Sequence, residues 1–408
     1  MAANWWYRRG GLGAIMFDET AELERRGHAV IPFAAAHPAN RPTPWARYFP
    51  PFTETADLGA TLGSPLARLA AGGRVVWNRP AARGFGKLLA EAQPDVIHLH
   101  NTARQLSPSI LRVARARRVP VVMSLHDYGL ICPQSRLFRG EREACYAPNC
   151  TRGNVVHVVA SRCVQGSLPA SALAAVEHLV HRSLGLYIDR VALLMSPSQY
   201  LIDVLVDAGI PRQRLRHLPN AVPDAAPGQP TGSTPNSGYV LFAGRLALEK
   251  GLDVLLAVAR MTPEIRYLVA GDGPMRDALE ANRPTNLELV GALDSIALDR
   301  LRRDAVAVIA PSVWFENAPM TILEAMGAGR PVIASAIGGQ PEMLAAGGGI
   351  LVPAGDASAT ADAVRRLWTA RGEGDAMGAA GRAAIAETHT IERHVDRLLE
   401  LYQEVTAA

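Results

Sequence analysis

Lysine is almost missing from this chain: of its 42 basic residues, only Lys87 and Lys250 are lysine. Arginine carries the rest of the positive charge, so a lysine kept inside a glycine-bounded loop argues for more than a solvated charge pair. Long apolar runs are missing too. None approaches the roughly 20 residues that span a bilayer. The opening Met-Ala-Ala-Asn-Trp-Trp-Tyr-Arg-Arg has no apolar core of a secretory leader. The expectation is a chain that stays in the cytoplasm. Aromatic residues make up 6% and do not alternate with basic ones as RNA-binding sheets do. A net charge of +4 is too small to argue for nucleic acid. Cysteine is scarce, yet all four copies fall between Cys132 and Cys163.

What is present is a soluble, well-cored composition, 49% hydrophobic and 20% charged. At 408 residues the chain suits two domains of about 200. Short apolar runs alternate with helical segments, the pattern of βα units and parallel sheets. In the first half strands are expected at His28–Phe33, Asp95–His100, Pro120–Leu125, Val191–Ser196 and Leu215–Leu218. In the second they fall at Tyr239–Ala243, Ile265–Ala270, Leu287–Val290, Ala305–Ala310, Pro331–Ala334 and Gly349–Val352. Between the halves, residues 223–238 carry four prolines and three glycines and read as a linker. The boundaries expected are an α/β domain over 1–222, a second over 239–388, and a last helix within 389–408. Two such domains would face a cleft at the carboxyl ends of their strands.

Two segments carry chemistry. Gly244-Arg-Leu-Ala-Leu-Glu-Lys-Gly251 follows the apolar run Tyr239–Ala243 and precedes a helix from Leu252. Its Gly244 lets backbone approach a ligand, and Arg245 and Lys250 place two cations there, chemistry suited to a diphosphate. Glu316-Asn-Ala-Pro-Met-Thr-Ile-Leu-Glu324 sets two carboxylates eight positions apart. Pro319 suits the first turn of a helix. Glu316 then sits in the loop before that helix and Glu324 on its inner face, a little over two turns along. Acids beside a helix N-terminus suit a ligand with hydroxyls at one end and phosphate at the other. Near the start, Gly10-Gly-Leu-Gly13 reads as a ligand-approaching loop that opens a helix over Ala14–Arg26. No β-branched run precedes it, so the first strand of the first sheet is expected to be missing or to lie upstream.

The order and spacing of G-R-x4-K-G, E-x7-E and the turn Ile337-Gly-Gly-Gln-Pro-Glu342 resemble the signature of glycosyltransferase family 4, retaining enzymes of the GT-B fold. The resemblance implies two Rossmann-like domains, with the final helix, Ile391–Val405, crossing back onto the first. It implies transfer of a sugar from a nucleotide diphosphate sugar to a saccharide or lipid-linked acceptor in polysaccharide or cell-envelope assembly. Arg245, Lys250 and the amides at Met320 would stabilise the departing diphosphate. Glu316 would hold the donor sugar and Glu324 the ribose, with Asn317, Ala318, Pro319 and Thr321 beside them. Gly11, Gly13, Gly244, Gly271 and Gly291 would admit the donor, the last two bordering the base. No catalytic metal is implied, and no Asp-x-Asp pair is present to hold one. Two other readings stand beside this one: another GT-B activity such as a sugar-nucleotide epimerase, or an inactive member that binds nucleotide sugar for a partner.

On the acceptor side, His100 and His126 close two expected strands. The turn His126-Asp127-Tyr128 resembles the family's acceptor-proximal site, where the histidine positions the donor sugar. Segment His37-Pro-Ala-Asn-Arg-Pro-Thr-Pro resembles a motif of extracellular-polysaccharide relatives. Cys132, Cys145, Cys150 and Cys163, spaced C-x12-C-x4-C-x12-C, lie in an insertion over about 130–165. A structural zinc, disulfides and free thiols all fit that spacing, and reducing cytoplasm favours metal over disulfides. Insertions of this kind after H-D-Y-x3-C-P occur in polysaccharide-assembly members of the family. Arg112, Arg115, Arg117 and Arg118 crowd one helix end, either a solvated terminus or a patch for anionic lipid.

Overall fold

A computed structural model of the chain describes residues 1–8, 10–52, 65–139, 143–145, 148–151, 153–222 and 238–407. The expected linker, apart from Gly238, lies outside the described residues. The chain divides into two compact units. One takes most of the chain up to Leu218 and the end from Val395, the other Pro219 to His394.

The first unit is built on a parallel sheet whose strands run in the order Ile97–Leu99, Val121–Ser124, Leu193–Ser196 and Leu215–His217. The first three are mostly aliphatic and buried, as strands of a parallel sheet covered on both faces are, whereas the edge strand Leu215–His217 buries only Leu215. The opening residues correct the expectation of a missing strand. Ala2 bridges both Phe33 and Leu99 in parallel, with Ala2 N–H donating to His98 O at 2.8 Å and Ala3 N–H to Phe33 O at 3.0 Å. Met1–Asn4 therefore lies between Phe33 and the strand Ile97–Leu99. The strand expected at His28–Phe33 shrinks to a bridge at Phe33, because the segment beside it offers only those few residues for pairing. Gly10–Gly13 also differs from expectation: it is not a loop but the first turn of the helix Gly10–Arg25. That helix buries Ile15, Met16, Phe17, Glu19 and Leu23.

The final helix, Ile391–Thr406, fastens to this same unit through Arg26–Asp396, Arg216–Glu404 and a 2.7 Å bond between Tyr402 Oη and His98 Nδ1. Among the described residues no helix is long and apolar enough to cross a membrane.

The second unit holds a six-stranded parallel sheet in the order Gly349–Val352, Val332–Ser335, Ala307–Ala310, Val240–Ala243, Tyr267–Ala270 and Leu287–Gly291. Alternation along these strands makes two cores. Val240, Phe242, Tyr267, Val269, Ala307 and Ile309 face one layer of helices, among them Leu252–Met261 and Ala357–Thr369. Leu241, Ala243, Leu268, Ala270 and Val308 face the other, with Ile322, Leu323 and Met326 of Met320–Gly327. Period-two side chains sandwiched between helices define a doubly wound sheet. Strand order reverses between Val240–Ala243 and Ala307–Ala310, and ligands of such sheets bind at that reversal, beyond the strands' carboxyl ends.

The expected boundaries at 222 and 389 move to Pro219 and His394 because the two crossings are joined to each other. Val222 N–H donates to His389 O at 3.0 Å. His389 Nδ1 pairs with Asn220 O at 2.8 Å and His394 Nδ1 with Pro219 O at 2.7 Å.

Candidate active site

The reversal in the second unit's sheet is followed by two loops, Gly244–Gly251, singled out from sequence, and Pro311–Pro319, which runs into the Glu316–Glu324 segment singled out beside it. They meet through a buried ion pair. Lys250 Nζ lies 2.5 Å from Glu316 Oε1, and Ser312 Oγ donates to the same oxygen at 2.8 Å. Glu316, Asn317 and Ser312 are buried, whereas Lys250 keeps its ammonium partly open, 5.8 Å over the Trp314 ring. Beside it Arg245 is mostly exposed, with only a 3.9 Å approach to buried Glu249. Val313 N–H donates to Glu249 O at 3.1 Å and fixes the spacing of the two loops.

The helix Met320–Gly327 starts at Pro319 without a side chain capping its first amides. Thr321 Oγ1 donates to Ala243 O at 3.0 Å and pins that turn to the strand end, while Asn220 Nδ2 donates to Ala318 O at 3.2 Å. Uncapped amides beside an arginine and a lysine form a place for an anion. Glu324 lies on this helix and accepts from buried Arg302 at 2.7 Å.

Three glycines, Gly244, Gly271 and Gly291, gather at adjacent strand ends. Gly271 N–H donates to Gly291 O at 2.8 Å. A Cβ at Gly271 would fall 1.9 Å from Gly244 O. The turn at Ile337–Gly339 closes the floor beneath Glu316. Gly339 N–H donates to Glu316 O at 2.7 Å, and Gly338, at φ +65°, lies so close that its Cβ would meet that oxygen at 2.3 Å.

In the first unit the strand ends carry a histidine chain. His100 Nδ1 and His126 Nε2 are 3.1 Å apart, with rings stacked. His100 Nε2 stands 3.3 Å from Glu19 Oε2. His98 shares bonds with Ser124 Oγ at 2.8 Å and Tyr402 Oη. Burial, then neighbouring His100, holds His98 well below its ordinary range and so neutral. Among the described residues only Glu19, His98 and His100 bring three ligand-type atoms within 4.8 Å of one another. Both ring nitrogens of His98 already face hydroxyls, so a hydrogen-bonded network accounts for the cluster.

His126 and Asp127 are half-buried, and burial raises the Asp127 carboxyl while its bond from Gly129 N–H opposes that. Two acceptor-side expectations are corrected. His100 and Tyr128 are completely buried, so neither can touch an acceptor; His100 supports His126 and Tyr128 packs in the core. Gly11 and Gly13 belong to a helical turn, where a Cβ on Gly13 would press on Arg8 at 3.1 Å; close packing accounts for that glycine.

Sequence reading missed Ser312, Arg302 and Glu19. Only Glu19 carried a local signal, an acid on the apolar stripe of its helix between Met16 and Leu23.

The four cysteines carry no disulfide and all line one small cavity with Phe138 and Val158. Burial, then the neighbouring thiols, pushes the Cys150 thiol up to about 11.

Comparison with known proteins agrees with this geometry. Residues 9–225, just over half of the 408, match the family described as Glycosyltransferase Family 4. The chain belongs to glycosyltransferase family 4. Residues 237–370 match a second description, Glycosyl transferases group 1. The protein is thus a glycosyltransferase of the hexosyltransferase class that uses nucleotide sugars. An uncharacterized 42.6 kDa protein in the cps region of Klebsiella pneumoniae is 21% identical over 70% of this chain and 69% of its own. A D-inositol 3-phosphate glycosyltransferase of Saccharomonospora viridis is 32% identical over 223 residues, half of each chain. Among solved structures, Anabaena HepE in complex with UDP and glucose superposes with a TM-score of 0.67 at 16% identity, over 99% of this chain and 98% of that one. The fold is GT-B.

Proposed function

We propose that this glycosyltransferase retains the donor's anomeric configuration and transfers a hexose from a nucleoside diphosphate sugar to a saccharide or lipid-linked acceptor in polysaccharide or envelope assembly. The observation that carries the donor half is the Lys250–Glu316 pair, set at the sheet reversal beside the uncapped helix start at Met320. As the sugar–phosphate bond breaks, charge develops on the diphosphate. Lys250, Arg245 and the amides of Met320 and Thr321 stabilise it without a divalent ion, and preorganised donors of this kind are each worth about 10²–10³ in rate. Glu316 holds the donor sugar's hydroxyls, oriented by Ser312 and the Gly339 amide. Glu324, steadied by Arg302, takes the ribose hydroxyls, and Gly271 and Gly291 leave room for the base.

His126, backed by His100 and Glu19, is the sugar-positioning residue that the family resemblance implies. The saccharide leaning rests on the cps-region relative and on HepE, bound to UDP and glucose. Because nucleotide sugars are cytoplasmic metabolites, the reaction belongs on that side of the membrane. Arg112, Arg115, Arg117 and Arg118, all exposed at the end of Ser109–Ala116, would then rest on anionic head groups.

The test is hydrolysis and transfer from a panel of UDP-, GDP-, ADP- and dTDP-hexoses. The anomeric proton of the product is read by NMR. One base class should turn over, with the product anomer matching the donor. Inverted product would refute retention, and no turnover with any donor would refute the donor assignment.

A further inference from the structure

We propose that Cys132, Cys145, Cys150 and Cys163 form a closed structural zinc site that clips the insertion after His126 into place. The four residues come from separate turns of the segment, yet all line one cavity of about 30 Å³. Among the described residues, nothing else in that lining offers a carboxylate or imidazole. An all-sulfur donor set selects a soft ion over magnesium or calcium, and four thiolates leave no open position for catalysis.

The loop folds closely around Cys132. Backbone amides of Leu137, Gln134, Arg136 and Ser135 are directed at its sulfur. Ser135 and Leu137 hold left-handed conformations, at φ +66° and +48°, to wrap it that way. At the other end Cys163 lies between left-handed Arg162 and Gln165, and Gln134 Nε2 donates to its carbonyl. Cys145 N–H donates to Leu137 O at 2.7 Å. Cys145 and Cys163 are thus each tied to the loop that follows Cys132 before any ion enters. Among the described residues no three of these sulfurs lie within 4.8 Å of one another, so an ion has to draw them together into its tetrahedron.

The consequence reaches the site. Cys132 N–H donates to Tyr128 O at 2.8 Å and Tyr128 N–H to Ser135 O at 3.0 Å. The metal-bound loop therefore braces the His126-Asp127-Tyr128 turn. Pro133 and Ser135 also wall a second cavity with Arg104, Glu177 and His178.

The experiment uses the full chain purified under reductant without chelator. Elemental analysis should find about one zinc per chain, and Cys145→Ser and Cys150→Ser should lower it to roughly a tenth or less. Because a serine variant can fail by misfolding, the wild-type chain is also stripped and titrated with cobalt(II). One equivalent should bring the charge-transfer and visible bands of a tetrahedral thiolate complex. Any of three results overturns the proposal: no zinc together with no cobalt bands, two disulfides in the denatured non-reduced chain, or iron with the absorption of an iron–sulfur cluster.

Discussion

Lys250 Nζ and Ser312 Oγ converge on one oxygen of Glu316, at 2.5 and 2.8 Å. The carboxylate is thereby desolvated and paired; under the proposed function it would hold a donor hydroxyl. Removing the lysine strands a buried acid and deletes a phosphate cation at once. Lys250→Ala should weaken nucleoside diphosphate binding by at least about 10-fold and kcat by about 10²-fold. Calorimetric titration with UDP and GDP beside steady-state rates checks this. Unchanged affinity for the accepted nucleotide would remove Lys250 from the diphosphate site.

Arg302 should matter for the nucleotide although it touches no expected ligand. It is buried and holds Glu324 at 2.7 Å. Arg302→Met should raise KM for the donor several-fold, following Glu324→Ala, with kcat less affected. It should also destabilise the fold by about 1–3 kcal/mol through the lost buried bond. A kcat defect at constant KM would mean that Glu324 serves the transition state instead.

Gly338→Ala tests whether the Ile337–Gly339 turn sets the position of Glu316. The added methyl would meet Glu316 O at 2.3 Å in a left-handed conformation, a combined strain of about 1–3 kcal/mol. The thermal midpoint should fall and kcat drop at least about 10-fold. A variant with a lower midpoint but normal kcat would show that the Glu316 carboxylate holds its place without this floor.

Neighbouring Glu177 and His178 give the first unit opposed pH dependences. Burial raises Glu177 from 4.5 to about 7, against the pull of Arg104. Folded protein then binds more protons than unfolded between those values, so this contribution is full below pH 4.5 and lost as pH rises through 7. Burial lowers His178 from 6.5 to about 4. Its contribution is full above pH 6.5 and lost as pH falls toward 4. Glu177→Gln removes only the first. The variant should gain stability over wild type by on the order of 3 kcal/mol at pH 8, and the gain should vanish near pH 4. Urea midpoints at the two pH values decide; a gain independent of pH would mean that burial does not raise the Glu177 carboxyl.

Much of the second unit could be read in advance because its information is local. Glycine-bounded loops directly after buried strands, and a proline before a helix, specify Gly244–Gly251 and Glu316–Glu324 within a dozen residues each. What escaped was partnership across long separations. Nothing near Ser312 or Arg302 announces that one bonds Glu316 and the other Glu324. Tyr128 was misassigned because a strand-end turn does not reveal which of its side chains folds inward. The opening strand was missed since Met1–Asn4 lacks β-branched residues and is held by its neighbours' backbone instead of by propensity, a case of tertiary pairing overriding local preference.

The bonds of Val222 to His389, and of Asn220 and Pro219 to His389 and His394, have a practical corollary. The stretch from Pro219 to His394 begins and ends at one knot, with its own two-layered core. A body whose ends already touch can be cut out, or rejoined in a new order, with little loss of chain entropy. The second unit is therefore organised as a cassette, which a chain can carry between different partners by recombination at a single seam.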